Sequence, residues 1–93
     1  MTLGELATAL NLEVLTGNTG LDREVKNGYT SDLLSDVIAN IDDNAIWITI
    51  QRHINILGVA KLKEVAGIII PRNLQLEQDV ITKAMEEGIA LLR

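Results

Sequence analysis

Hydrophobic residues follow two spacings along this chain, one typical of helices and one typical of buried strands. Near the amino terminus they recur every three or four residues, which predicts one buried helix face: Leu3, Leu6, Ala7 and Leu10. Thr2 and Glu5 have the spacing of a capping box, so this helix is expected to begin at Thr2. In contrast, residues 45–50 and 68–70 are nearly continuous apolar runs, the pattern of strands covered on both faces.

The other segments continue this alternation. Strands are predicted at residues 12–15, 23–29 and 89–92, and helices at residues 32–41, 54–65 and 76–87. Pro71 should end the strand before it, and Gly88 should end the last helix. The order α-β-β-α-β-α-β-α-β predicts a single α/β domain over residues 1–93. We expect three layers, with helices on both faces of a mostly parallel sheet of about five strands.

Composition restricts the partners and the location. The 93 residues carry a net charge of −5 and include two aromatic residues, Tyr29 and Trp47, so a nucleic-acid surface is not expected. The chain has no cysteine, which excludes disulfides and thiolate metal sites and is typical of the cytoplasm. The amino-terminal residues do not resemble a signal peptide, and no apolar run has the length of a membrane span. We therefore expect a cytoplasmic protein without a membrane partner.

Polar residues follow three of the predicted strands. In a parallel sheet the carboxyl ends of the strands meet at one edge, where ligands usually bind. The side chains expected at this edge are Tyr29, Thr30, Ser31, Asp32, Gln51, Arg52, His53, Arg72 and Asn73. The arginines and the helix amino termini favour an anionic ligand, although the same residues could simply cap helices and solvate loops. Asp32 and Asp36 would repel a phosphate unless they hold a cation, a ribose hydroxyl or an arginine of a partner.

Motifs for catalysis are missing from the sequence. It contains neither a P-loop nor a G-x-G-x-x-G motif, and its single histidine, His53, has no cysteine to pair with. The adjacent acids Asp42–Asp43 and Glu86–Glu87 point in diverging directions and are expected to be solvated. We predict no catalytic residues, no metal ligands and no cofactor.

Four segments resemble a known family: Leu21–Val25, Gly28–Val37, Ala45–Gln51 and Ala66–Ile69. They are similar to small stand-alone DRTGG-domain proteins, which are similar in turn to the amino-terminal domain of HPr kinase/phosphorylase. The resemblance implies a three-layer α/β fold, a regulatory or ligand-sensing role and a tendency to form homodimers. Adenine nucleotides are the ligands implied by larger relatives.

The chain departs from this family after the third predicted strand. Pro71-Arg72-Asn73 stands where such domains commonly carry a Thr-Gly-Gly-like turn, so a close approach of the backbone to a phosphate is not expected there. The kinase activity of the larger relatives does not transfer, because their P-loop belongs to another domain.

Two functional hypotheses follow. The first is a non-catalytic regulatory domain that binds a small anionic ligand, with an adenine nucleotide as one candidate. The second is a protein–protein interaction module of a larger assembly, related to redox or phosphotransfer chemistry, which docks through the same edge residues or through an open sheet edge.

Overall fold

The computed structural model describes all 93 residues and contains four helices and four strands. In chain order these are α1 (Leu3–Ala9), β1 (Asn27–Thr30), α2 (Leu34–Asn40), β2 (Ala45–Ile48), α3 (Asn55–Lys63), β3 (Gly67–Ile69), α4 (Gln78–Glu86) and β4 (Leu91–Leu92). None of the four helices combines the length and the apolar composition needed to cross a membrane.

All four strands are parallel, and their order in the sheet is their order in the chain. Gly28 lies opposite Ile46, Trp47 opposite Ile68, and Ile69 opposite Leu92. Connections between parallel strands are right-handed, so three crossovers that step in the same direction place α2, α3 and α4 on the same face. The expected α/β class is confirmed, but the sheet has four strands instead of five.

Alternate side chains of the strands divide the core into two parts. The large core lies between the sheet and α2, α3 and α4, and its strand residues are Ala45, Trp47, Ile68, Ile70 and Leu91. The small core lies on the opposite face, where Leu3 and Ala7 of α1 pack against Ile46, Ile69, Ala90 and Leu92. Helices therefore cover both faces of the sheet, three on one and one on the other.

The strand predicted at residues 12–15 was wrong. Val14 forms a single antiparallel bridge with Leu92, and Glu13 and Arg93 exchange two backbone hydrogen bonds of 2.8 Å. The Leu15 N–H adds one further bond of 2.9 Å to the carbonyl of Leu91, in the two-residue strand β4. As the chain turns away, the fully buried Thr16 accepts a hydrogen bond from the Leu91 backbone N–H at its Oγ1, at 3.1 Å. This segment covers the β4 edge without forming a strand.

The predicted start of α1 and the predicted end of α4 are confirmed by capping hydrogen bonds. Glu5 N–H donates to Thr2 Oγ1, and Thr2 N–H donates to the Glu5 carboxylate, which completes the capping box. After α4, Gly88 has a φ of 73°, a conformation that favours glycine. The N–H groups of Gly88 and Ile89 then bond to carbonyls of the last turn, as in a Schellman motif.

The predicted start of α2 was wrong. The N-cap residue is Leu33, and no side chain caps this helix. Ser31 Oγ accepts a hydrogen bond from Leu33 N–H at 3.3 Å and so stabilises the turn before the helix. Asn55, a residue type common at N-caps, is the first residue of α3 and follows an Ile54 N-cap. Both helices are held by packing of their apolar faces, which compensates for the missing caps.

We expect Thr16→Val to lower the free energy of unfolding by about 1–3 kcal/mol, because valine keeps the shape of the side chain and leaves the Leu91 N–H without a partner. Urea unfolding followed by the fluorescence of Trp47 measures this change. Thr19→Val is the matched control, since the partly exposed Thr19 makes no side-chain hydrogen bond, and it should stay within about 0.5 kcal/mol. Equal effects of the two substitutions would contradict this role for Thr16.

Candidate functional site

The carboxyl edge of the sheet contains a cleft between two neighbouring connections. One wall is the segment that links β2 to α3, and the other is the segment that links β3 to α4. The volume of the cleft is about 540 Å³, and its lining residues are Ile50, Gln51, Arg52, His53, Ile54, Gln75, Glu77, Asp79 and Val80. This volume lies within the range of small-molecule sites.

Arg52 connects the two walls of the cleft. Its Nη1 donates a hydrogen bond of 3.1 Å to the backbone carbonyl of Gln75. Arg93, which follows β4, donates to the carbonyl of Leu74 at 3.3 Å and to Gln75 Oε1 at 3.4 Å. Two guanidinium groups therefore hold the segment before α4, and one of them lines the cleft.

His53 is placed by the helix that follows it. Its Nδ1 accepts a hydrogen bond of 3.1 Å from the Asn55 N–H, and its backbone carbonyl accepts one from the Ile56 N–H. The Nε2 atom has no partner within the chain and is available to a ligand. No group of three or more histidine and acidic side chains converges anywhere in the molecule in a way that could hold a metal ion.

The opposite wall carries charges of both signs. Glu77 is the N-cap residue of α4 without a side-chain cap, and the N–H groups of Gln78 and Asp79 make no hydrogen bond within the chain. These N–H groups and the helix dipole favour an anion. The carboxylates of Glu77 and Asp79 oppose this preference and are suited to hydroxyl or cationic groups. The cleft is therefore a site of mixed charge.

Asp32 joins the ends of β1 and β2 and does not line the cleft. Its Oδ1 accepts hydrogen bonds of 2.9 Å from Thr49 Oγ1 and from the Ile50 N–H. Gln51 Nε2 donates to the Asp32 carbonyl at 3.0 Å, so Asp32 lies directly behind one wall. The buried Thr49 hydroxyl also accepts from the Gln51 N–H and completes the link.

Tyr29 and Asp36 form a second polar link beside β1. The Tyr29 hydroxyl donates to Asp36 Oδ2 at 2.7 Å, and Asn40 Nδ2 donates to Asp36 Oδ1 at 2.9 Å. The bond from Tyr29 is the main cause that lowers the pKa of Asp36, and bonds from Ser31 and Asn40 act in the same direction. The same bond is the main cause that raises the pKa of Tyr29.

The structure brings together some of the sequence-predicted site residues. Gln51, Arg52 and His53 share one wall, whereas Tyr29, Thr30, Ser31 and Asp32 lie outside the cleft, with Trp47 Nε1 bonded to the Ser31 carbonyl. Arg72 and Asn73 also lie outside it. Both are exposed, with φ values of 62° and 54°, and neither makes a side-chain hydrogen bond.

Sequence reasoning missed six lining residues: Ile50, Ile54, Gln75, Glu77, Asp79 and Val80. Glu77 and Asp79 fall in the first turn of the helix predicted at residues 76–87, where acids are common and do not by themselves indicate a site. The signal that could have found them is the length of the β3–α4 connection. Because that connection runs from Ile70 to Glu77, its last residues rather than its first reach the neighbouring wall.

The chain matches no protein-family model and no sequence among the curated proteins. The resemblance to DRTGG domains therefore stays a prediction. The residues that line the cleft bring together one guanidinium, one imidazole, two carboxylates and the apolar side chains of Ile50, Ile54 and Val80.

The link between Tyr29 and Asp36 should make stability depend on pH at both extremes. Because folding lowers the pKa of Asp36, its contribution is present above the ordinary carboxyl value of 3.8 and is lost as the pH falls through the folded-state pKa. Because folding raises the pKa of Tyr29, its contribution is present below the ordinary value of 10.0 and is lost as the pH rises through the folded-state pKa. Tyr29→Phe should flatten both limbs of a profile of unfolding free energy against pH.

Asp36→Asn is the companion variant. It should flatten the acid limb as Tyr29→Phe does, although Glu5 and Glu87, whose pKa values are also lowered, will leave part of the acid dependence in place. Profiles that run parallel to the wild type for both variants would show that the hydrogen bond contributes nothing to stability.

Proposed function

We propose that this chain is a non-catalytic regulatory domain that senses a small ligand with an anionic group, bound in the cleft at the carboxyl edge of the sheet. The observation that carries this proposal is the placement of the cleft. It opens between the amino termini of α3 and α4, and it takes Arg52 from one wall and Asp79, whose N–H has no partner within the chain, from the other.

The mixed charge of the cleft limits the classes of ligand that fit it. A simple dianion would meet the carboxylates of Glu77 and Asp79 as well as Arg52. A ligand that joins an anionic group to hydroxyl groups satisfies both, since carboxylates accept hydrogen bonds from hydroxyls. A nucleotide has this combination in its phosphate and its ribose, and Ile50, Ile54 and Val80 offer apolar contact to a base. An adenine nucleotide is therefore our first candidate.

The groups in the cleft are suited to binding rather than to reaction. No hydroxyl, thiol or amine side chain lines it, and His53 uses one ring nitrogen to hold the start of α3. Glu77 and Asp79 are two residues apart at a helix start, so their side chains diverge instead of forming an acid–base pair. These features support a sensing role.

Thermal unfolding in the presence of a ligand panel tests the proposal. The panel contains AMP, ADP, ATP, their guanine counterparts and inorganic phosphate. We expect one adenine nucleotide to raise the melting temperature by several degrees in a concentration-dependent manner, because a ligand at a hundred times its Kd adds about 2.7 kcal/mol of stability. Phosphate alone should act weakly, since it leaves the carboxylates unsatisfied.

Arg52→Ala should abolish this rise. The matched control is Arg72→Ala, which removes the same charge from the same sheet edge at an exposed side chain outside the cleft, and it should leave the rise intact. If no compound of the panel raises the melting temperature, the proposed ligand binding is refuted. Equal loss in both variants would place the ligand outside the cleft or show that only net charge matters.

A homodimer is a further part of the proposal and comes from the DRTGG resemblance. Light scattering coupled to gel filtration should give a mass close to twice 10.2 kDa at micromolar concentration. A mass of 10.2 kDa up to the highest soluble concentration would remove dimerisation from the proposal and leave the cleft unaffected, because every lining residue comes from one chain.

A further inference from the structure

Two side chains on one wall of the cleft have orientations that are fixed by hydrogen bonds within the chain. Gln51 and His53 both follow β2, and both line the cleft. An amide side chain and a neutral imidazole each carry a donor and an acceptor. The atom that bonds inside the fold therefore determines which atom is left for a ligand.

Gln51 leaves an acceptor. Its Nε2 donates to the carbonyl of Asp32 at 3.0 Å, behind the wall, and its backbone N–H donates to the buried Thr49 hydroxyl at 3.1 Å. A carbonyl only accepts, so turning the amide over would set two oxygens against each other and lose the bond. Gln51 Oε1 makes no hydrogen bond within the chain. The half-buried Gln51 therefore offers an oxygen to the cleft.

His53 leaves a donor. Its Nδ1 accepts a hydrogen bond of 3.1 Å from the Asn55 N–H. A backbone N–H only donates, so Nδ1 carries no proton in this arrangement, and the neutral ring holds its proton on Nε2. Turning the ring over would put a carbon against the Asn55 N–H and lose the bond. The exposed His53 therefore offers an uncharged N–H to the cleft.

This pair of groups has a defined chemical complement. A matching ligand edge places an amino group, which donates, beside an unprotonated ring nitrogen, which accepts. Adenine and cytosine have such an edge, whereas hypoxanthine, guanine and uracil carry an oxo group beside a protonated ring nitrogen. An oxo base would set oxygen against Gln51 Oε1 and N–H against His53 Nε2–H. Neither side chain can turn to suit it without losing its internal bond, so the mismatch leaves polar groups unpaired.

From these bonds we propose that Gln51 and His53 determine specificity at the cleft by selecting amino-substituted bases over oxo-substituted ones. This inference rests on the proposed function, because it requires a nucleotide in the cleft. It goes further in assigning the reading of the base to two named side chains, and it expects a cytosine nucleotide to be accepted as well as an adenine nucleotide. Arg52 and the Asp79 N–H are left for the phosphate.

Calorimetric titration with two matched pairs of nucleotides tests the inference. AMP is compared with IMP, and CMP with UMP. The members of each pair share the sugar and the phosphate and differ only in the amino or oxo edge of the base. We expect AMP and CMP to bind about ten- to a hundredfold more tightly than their oxo counterparts, the discrimination typical of a base edge that is read by two hydrogen bonds.

Substitutions at the two side chains should remove this preference. Gln51→Ala deletes the acceptor and should bring the ratio of the AMP and IMP Kd values close to one. His53→Phe deletes the donor and should act in the same direction. Asn18→Ala is the control, because it removes an exposed amide that makes no side-chain hydrogen bond and does not line the cleft, and it should keep the ratio of the wild type.

The orientation of the two groups is measurable without a ligand. His53 is the single histidine of the chain, so its ring nitrogens are identified directly by nuclear magnetic resonance. We expect the neutral ring to carry its proton on Nε2. We also expect amide hydrogen exchange at Asn55 to be slower in the wild type than in His53→Phe, because the bond to Nδ1 protects this N–H.

Four results would overturn the inference, and they separate it from the proposed function. Equal binding within both pairs, or an unchanged preference in Gln51→Ala, would refute the selection while nucleotide binding stands. A neutral ring with its proton on Nδ1, or equal exchange at Asn55 with and without the imidazole, would show that the orientation of His53 is not fixed. If none of the four nucleotides binds, the proposed function is refuted together with this inference.

Discussion

The sequential order of the four strands is the constraint on which the other features depend. Each crossover from one strand to the next is right-handed and steps the same way, so α2, α3 and α4 must lie on the same face. The opposite face is left to α1 and the long segment between α1 and β1, which supply the small core. A sheet of this order never reverses direction, and it therefore lacks the switch-point crevice in which many α/β proteins bind ligands. The cleft forms instead between two adjacent connections, where the segment before α4 folds back towards Arg52.

Several polar groups at the carboxyl edge of the sheet are hydrogen-bonded within the fold. Asp32 bonds to the end of β2, and Asp36 accepts from Tyr29 and Asn40, so both carboxylates have partners within the fold and neither lines the cleft. The acids that oppose an anionic ligand in the cleft are therefore not the two that the sequence indicated. Glu77 and Asp79 are the acids that line the cleft, and they are the reason for proposing a ligand that joins an anionic group to hydroxyls.

Charged residues are distributed unevenly along the chain. The half that contains β1 and α2 is strongly acidic, and the half that contains the cleft is nearly neutral. The bonds among Asp32, Thr49 and Gln51 connect the acidic part to the other, because they tie the end of β1 to the wall of the cleft.

The sequence by itself determined the local elements of this protein. The capping box of α1, the helix end at Gly88, the two buried apolar strands and the α/β alternation could all be read from spacing, because each depends on contacts within a few residues. Three of the lining residues, Gln51, Arg52 and His53, could be placed at the carboxyl edge because they directly follow a buried strand. The departures are the strand expected at residues 12–15 and the helix start expected at residue 32, and Arg72 and Asn73 lie outside the cleft.

Only the tertiary structure decided those points, since each depends on a partner distant in the chain. Residues 13–15 pair with residues 91–93, at the other end of the chain, through one bridge and three backbone hydrogen bonds. Asp32 bonds to Thr49 and Ile50 instead of belonging to α2, and no local sequence pattern predicts these bonds. The course of the β3–α4 connection, and with it the exclusion of Arg72 from the cleft, depends on the bonds of Arg52 and Arg93 to residues 74 and 75. The spacing of hydrophobic and polar residues indicates which element a residue favours, but long-range hydrogen bonds determine which residues come into contact.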